Sequence, residues 1–149
     1  MDIENGARIL LARDDVATLF PTNYITANID LNESSRTYYN SDIDQTVSNV
    51  PDYGRIYLQN VPGGGVLANK TMDGPISVTD LIFINDWNNL IDNGFQITGD
   101  TGEEIQIEPN AQLTLGTAGS ATSFPTGHDN FDIREPSTVV YNSGLDQDI

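Results

Sequence analysis

Residues 7 to 22 read A-R-I-L-L-A-R-D-D-V-A-T-L-F-P-T, and residues 111 to 126 read A-Q-L-T-L-G-T-A-G-S-A-T-S-F-P-T. The offset of 104 residues pairs Ala7 with Ala111, Ile9 with Leu113, Leu11 with Leu115, Ala17 with Ala121, Thr18 with Thr122, and Phe20-Pro21-Thr22 with Phe124-Pro125-Thr126. The match resumes at an offset of 102, with Tyr39-Asn40-Ser41 against Tyr141-Asn142-Ser143, Asp44-Gln45 against Asp146-Gln147, and Val47 against Ile149. Self-similarity at a fixed long period is the signature of a repeat array. The chain therefore reads as the C-terminal part of a preceding repeat, 1–47, followed by one complete repeat, 48–149. That division suggests a stretch cut from a longer array, with Met1 an added start.

Working outward, no long segment carries apolar residues at helical spacing. Gly, Asn, Asp, Ser, Thr and Pro recur every few residues. Between them lie short alternating pairs: Ile9/Leu11, Ile56/Leu58, Ile76/Val78, Phe95/Ile97, Ile105/Ile107, Leu113/Leu115, Phe131/Ile133 and Val139/Tyr141. Apolar residues two apart mark half-buried strands, so the chain is expected to be all-β. The intervals Ile56–Ile76, Ile76–Phe95, Phe95–Leu113 and Leu113–Phe131 are 20, 19, 18 and 18 residues. A step of that size suits one coil of a β-solenoid, a parallel β-helix-like stack. Asp73-Gly74-Pro75, Asn93-Gly94 and Pro109-Asn110 precede strands at a common phase, as left-handed corners require. A β-sandwich, or a composite of the two, is the alternative, because the step drifts. Ile9, Leu11, Leu58, Ile76, Val78, Phe83, Phe95, Ile97, Ile107, Leu113, Leu115, Val139 and Tyr141 are the expected core.

Six Lys and Arg stand against 22 Asp and Glu, a formal net charge of −16. Nucleic acid and anionic membranes call for basic surfaces, so neither is an expected partner. No apolar run approaches 18 residues, and the N-terminus lacks a signal-peptide pattern, so no membrane insertion is expected. The 149 residues contain no Cys and one His, which leaves no transition-metal cluster and no nucleophile–histidine triad of the usual kind.

In order along the chain stand Gln45-Thr46-Val47, Tyr53-Gly54-Arg55-Ile56-Tyr57-Leu58, Gly63-Gly64-Gly65, Lys70-Thr71-Met72, Ile76-Ser77-Val78 and Asp80-Leu81-Ile82-Phe83-Ile84. They continue with Asn93-Gly94-Phe95-Gln96-Ile97-Thr98-Gly99, Ala111-Gln112-Leu113-Thr114-Leu115-Gly116, Phe124-Pro125-Thr126 and Ser137-Thr138-Val139-Val140-Tyr141-Asn142. This order resembles the long repeats of giant secreted surface adhesins of Bacteroidetes, the class of gliding-motility adhesins and type IX secretion cargo. Arg36-Thr37-Tyr38-Tyr39 departs from the pattern in the first copy. The resemblance implies a β-helix-like stalk module on an extracellular fibre. Neighbouring repeats of the same polypeptide or fibre are the expected partners, and no catalytic residue is carried over.

The expected function is thus a non-enzymatic structural repeat of a secreted, cell-surface adhesin or filament, acting as stalk or spacer and in surface adhesion or gliding. The alternatives are a carbohydrate-binding or carbohydrate-cleaving β-helix and a calcium-rigidified fibre module. For surface glycans the candidate contact is Trp87, which lies among amides and is otherwise expected to cap a corner. For calcium the candidates are Asp42, Asp44, Asp146 and Asp148, two apart at partly repeat-equivalent positions, though they match neither the EF-hand nor the Gly-rich β-roll pattern and read better as solvated turn residues. No cofactor is otherwise expected. Asp100, Glu103 and Glu104 could form a carboxylate pair but read better as a turn. His128 reads as a polar loop residue, Lys70 as exposed at a corner, and Gly63-Gly64-Gly65 as a corner without the Lys of a phosphate loop.

Overall fold

Short runs of β-branched and aromatic residues, interrupted every few positions by Gly, Asn, Asp and Pro, make short strands and tight corners. The computed structural model describes residues 2–13, 15–21, 29–60 and 65–147, and within them the regular elements are all strands. They are β1 (Asp2–Ile3), β2 (Arg8–Leu11), β3 (Asp30–Leu31), β4 (Arg36–Asn40), β5 (Gln45–Val47), β6 (Tyr53–Gln59) and β7 (Ala68–Met72). There follow β8 (Ile76–Ile84), β9 (Asn88–Ile91), β10 (Ile97–Gly99), β11 (Glu104–Ile107), β12 (Gln112–Leu115), β13 (Asn130–Ile133) and β14 (Thr138–Tyr141).

The named strands pair only in parallel. One sheet runs β13-β11-β8-β6-β4-β2, with β10 also on β8; the facing sheet runs β14-β12-β9-β7-β5; β1 and β3 pair separately. From β4 onward the chain passes back and forth between the two sheets, with β10 and β11 both laid against the long β8, and returns each time beside its previous pass. The fold is a β-solenoid of about 5 turns, and the sandwich alternative does not apply.

The coil varies in length more than the sequence spacing suggested. Paired residues advance by 19 positions from Arg36 to Arg55, by 26 from Ile56 to Ile82, and by 28 from Arg8 to Arg36. The residues of the regular 18-to-20 series are not rung partners: Ile56 and Ile76 share the seven-stranded sheet but are out of register, and Leu113 lies in the facing sheet. Ile56 stacks on Ile82, Ile105 and Phe131, and Leu58 on Ile84, Ile107 and Ile133. Corners vary in length while the rungs stay in register, so a constant step is not required of a solenoid.

Leu11, Leu58, Ile76, Val78, Ile97, Ile107, Leu113 and Leu115 are buried, and Ile9, Phe95, Val139 and Tyr141 pack half-buried against them. Phe83 is not in the core. It sits between Ile82 and Ile84, which both point inward, so the two-residue period turns it outward onto Tyr57, with ring centroids 5.5 Å apart. A run of four apolar residues, Leu81-Ile82-Phe83-Ile84, gives no phase by itself.

Residues that match in sequence also match in pairing. Arg8–Leu11 against Arg36–Tyr39 has the same register as Gln112–Leu115 against Thr138–Tyr141. The pair Asp2↔Asp30, Ile3↔Leu31 corresponds in the same way to Gln106↔Asp132, Ile107↔Ile133. The small antiparallel bridge Arg13↔Val16 recurs as Thr117↔Ser120. Ala12 and Gly116 take the same left-handed φ, 73° and 81°. Yet β2 and β4 lie in the seven-stranded sheet, whereas β12 and β14 lie in the five-stranded one. Four turns carry β4 through β6, β8 and β11 to β13, and a further half turn reaches β14. The repeat is therefore half-integral, and equivalent surfaces in successive copies face opposite ways.

Ile84→Ala should cost about 2–4 kcal/mol by removing a fully buried rung of a ladder. Phe83→Ala should cost less than half as much despite the larger side chain. Urea unfolding of the two variants checks the order, and a larger loss for Phe83→Ala would contradict the inward phase.

Candidate functional site

The corner carrying Asp42 and Asp44 is built around Lys70. In β7, Lys70 faces inward between Gln45 of β5 and Leu90 of β9. It is fully buried, contrary to the exposed corner position expected from its sequence. A four-carbon stem can cross the core only if its ammonium meets acceptors. Lys70 Nζ donates to the carbonyl oxygens of Ser41 at 2.6 Å and Ile43 at 3.3 Å, and to Gln45 Oε1 at 3.4 Å. Burial pushes its pKa down from 10.5 to about 8, while Asp44 and then Asp42 pull it back up. Asp44 is occupied on its outer side, accepting from the backbone N–H of Asn69 at 2.9 Å. The carbonyls that a calcium ion would recruit thus already hold an ammonium. Asp146 is exposed, and Asp148 lies outside the described residues. Among the described residues no three His, Asp or Glu side chains converge on a possible metal position.

Gln45 is the other half of this corner, and its work is repeated. Gln45 Nε2 donates to the carbonyls of Leu11 at 3.2 Å and Thr18 at 2.8 Å. Gln147 Nε2 donates to the equivalent carbonyls of Leu115 at 3.3 Å and Thr122 at 2.9 Å. The glutamine clamps the loop that leaves β2 or β12, which explains why Gln stands at both positions. A second polar staple, missed by sequence reasoning, is the buried Asp92. Its Oδ1 accepts from the N–H groups of Gly94 at 2.9 Å and Gly116 at 2.8 Å, and Oδ2 from the Thr122 hydroxyl. An Asp two residues before Gly is an ordinary turn signal; the second and third donors come from the next coil and leave no local trace.

Trp87 occupies the β8–β9 corner with φ of 60°, and its carbonyl accepts from Ala68 N at 2.9 Å and Asn60 Nδ2 at 3.1 Å. Its side chain is 36% exposed. Asp100 is exposed, and Glu103 and Glu104 half-buried, at the turn into β11. Partial burial raises the Glu103 pKa, and the carboxylates of Asp80, Glu33, Asp100 and Asp129 add to the rise. His128 is not a solvated loop residue. It is buried, and its ring fills the space over Gly99 where a Cβ would clash. Burial lowers its pKa, against opposing pulls from its surroundings that include Asp100 and Asp129. Gly65 is at a corner with φ of 57°, while Gly63 and Gly64 lie outside the described residues.

Comparison of the chain with models of known protein families, with curated proteins and with solved structures gave no match. No helix long and apolar enough to cross a membrane occurs among the described residues.

Lys70 gives the fold a particular pH response. Its folded pKa of about 8 lies below 10.5, so the unfolded chain binds more protons between those values and stability rises with pH there. Tyr39 is raised to about 12 and Tyr53 also well above 10.0, chiefly by burial, so stability falls again once unfolded tyrosines ionise. Denaturant unfolding from pH 7 to 10 should show a gain of about 2 kcal/mol that Lys70→Met abolishes. An identical profile in the variant would exclude Lys70 as its source. Melting with calcium and with chelator should coincide, since the ammonium holds the corner; a calcium-dependent rise would show a cation site.

Proposed function

We propose that this chain is a non-enzymatic structural repeat of an extracellular adhesin or filament, working as a stalk or spacer. The observation that carries the reading is the conserved register of the two copies: β2·β4 and β12·β14 share residue pairing, loop bridge and glutamine clamp. A unit selected for chemistry keeps a constellation, whereas a unit selected for stacking keeps its contacts with the next rung. The polar side chains with the most elaborate surroundings, Gln45, Lys70 and Asp92, bind backbone groups of neighbouring coils.

The exposed final rung supports the same reading. Phe131 and Ile133 continue the inward ladders of Ile105 and Ile107, yet they are 45% and 47% exposed. A following rung would cover them and pair the free edge, which otherwise invites aggregation. The net charge of −16 would hold long fibres apart in solution. Secretion to the cell surface, with type IX export and gliding, is part of this proposal through the adhesin resemblance.

Proteins with one, two and three tandem 102-residue units should test it. Stacked units share interfaces, so unfolding free energy and the denaturant slope should grow with each unit in one cooperative transition. Independent transitions at the single-unit midpoint would refute end-to-end stacking.

A further inference from the structure

The outer face of the seven-stranded sheet carries two ordered rows across its rungs. Arg8, Arg36 and Arg55 stand in register on β2, β4 and β6. Two residues further along the same strands, Leu10, Tyr38, Tyr57 and Phe83 stand in register, the last on β8. The Tyr38 and Tyr57 rings stack at 4.7 Å, and Asn40 and Gln59 border them. A depression of about 430 Å³ is lined by Arg8, Leu10, Tyr38 and Gln59.

This face is costly for the fold alone. Like charges directly opposed on neighbouring strands repel, and these three lie about 4.8 Å apart per rung. They are half of the six cationic side chains of a chain with 22 acids. Asp80 neutralises Arg55. Among the described residues Arg8 meets the Tyr38 ring and no carboxylate, its guanidinium carbon 5.9 Å from the centroid. Arg36, in the middle, has no carboxylate partner among the described residues, and its Nε is buried without a hydrogen bond. A surface this acidic could readily have supplied further acids, yet among the described residues none pairs with Arg8 or Arg36. Leu10 stays 60% exposed at the end of the aromatic row.

We propose that this face binds an acidic polysaccharide lying along the solenoid axis, its sugar rings on the Leu10–Tyr38–Tyr57–Phe83 row and its acidic groups on Arg8 and Arg36. Aromatic rings stack on the apolar faces of sugars, and guanidinium forks pair with carboxylates or sulfates. One rung is comparable to the advance of one sugar along an extended polymer. Asn40 and Gln59 supply neutral hydrogen-bond partners for hydroxyls. The chain's negative field opposes a nucleic acid and an acidic glycan alike, so the attraction rests on local pairing with Arg8 and Arg36. Trp87 is not among the residues that line the depression, and the proposal stands whether or not the stalk reading holds.

Isothermal titration of the intact chain with polygalacturonate, dextran sulfate and neutral dextran tests it, with poly-glutamate and phosphatidylserine vesicles as non-glycan anions. The expected result is binding of polygalacturonate or dextran sulfate, weakened by salt, with no binding of neutral dextran; which polymer binds distinguishes a uronate from a sulfated ligand. Arg36→Gln and Tyr57→Ala should each weaken it at least about tenfold, while Trp87→Ala leaves it unchanged. Arg8→Gln, at an exposed rim position, gives the same loss without risk to folding, and unchanged melting of the arginine variants separates binding from stability. Failure of both acidic polymers to bind would overturn the proposal. So would equal affinity for poly-glutamate or vesicles, or glycan affinity that survives Arg8→Gln and Arg36→Gln.

Discussion

Parallel, in-register stacking of rungs is the constraint on which the structure depends. Each strand satisfies its backbone groups only through the passes above and below it. The chain must therefore return to the same lateral position on every turn, whatever the corner between. Side chains follow: Ile56 meets Ile82 and Ile105, and Leu58 meets Ile84 and Ile107, so the core is a set of rows and not a cluster around one centre. Rows of aliphatic residues reward this geometry, whereas rows of charge are penalised by it.

Buried polar groups mark where the corners are anchored. Tyr39 and Tyr53 hydroxyls lie 2.6 Å apart inside the stack, Tyr53 donating to the Ser48 carbonyl at 2.6 Å and Tyr39 accepting from Ser48 N at 3.0 Å. Gln45, Lys70 and Asp92 act in the same manner on other corners. Such groups are expensive when unpaired and specific when fully paired. Apolar rows alone would tolerate a slip of one rung against the next; a glutamine that must find the carbonyls of Leu11 and Thr18 does not. The corners can thus differ in length while the register stays fixed.

All-β character, the corners at Asn93-Gly94 and Asn110, and most of the core were legible because they rest on local chemistry: alternation, turn residues and left-handed φ. The parallel stack was legible through recurrence, although the step was not. Ile76, Phe95 and Leu113 are evenly spaced in sequence by coincidence, and only long-range pairing shows that Ile56 belongs over Ile82. Phe83 and Lys70 were misplaced for a common reason: hydropathy was allowed to decide the facing that the two-residue period dictates. Lys70 is inward because its strand neighbours demand it, and its ammonium is served by carbonyls 27 and 29 residues away. The staples at Asp92 and His128 are likewise contacts between coils, with no signature in a short window.

The half-integral repeat joins these observations. Because β4 and β14 are equivalents on opposite sheets, a surface borne by one copy recurs half a turn away in the next. At the position of Arg8 and Arg36 the second copy has Gln112 and Thr138, and at Leu10 and Tyr38 it has Thr114 and Val140. The stacking residues Leu11, Tyr39 and Gln45 recur, while the outer rows do not. Selection for a stack preserves what faces the next coil and leaves the outward positions free. The arginine and aromatic rows belong to those free positions, so their order across consecutive rungs is not a by-product of the repeat. The rows cross the junction of the two copies, with Arg8, Leu10, Arg36 and Tyr38 in the first and Arg55, Tyr57 and Phe83 in the second, and they are displayed on one face.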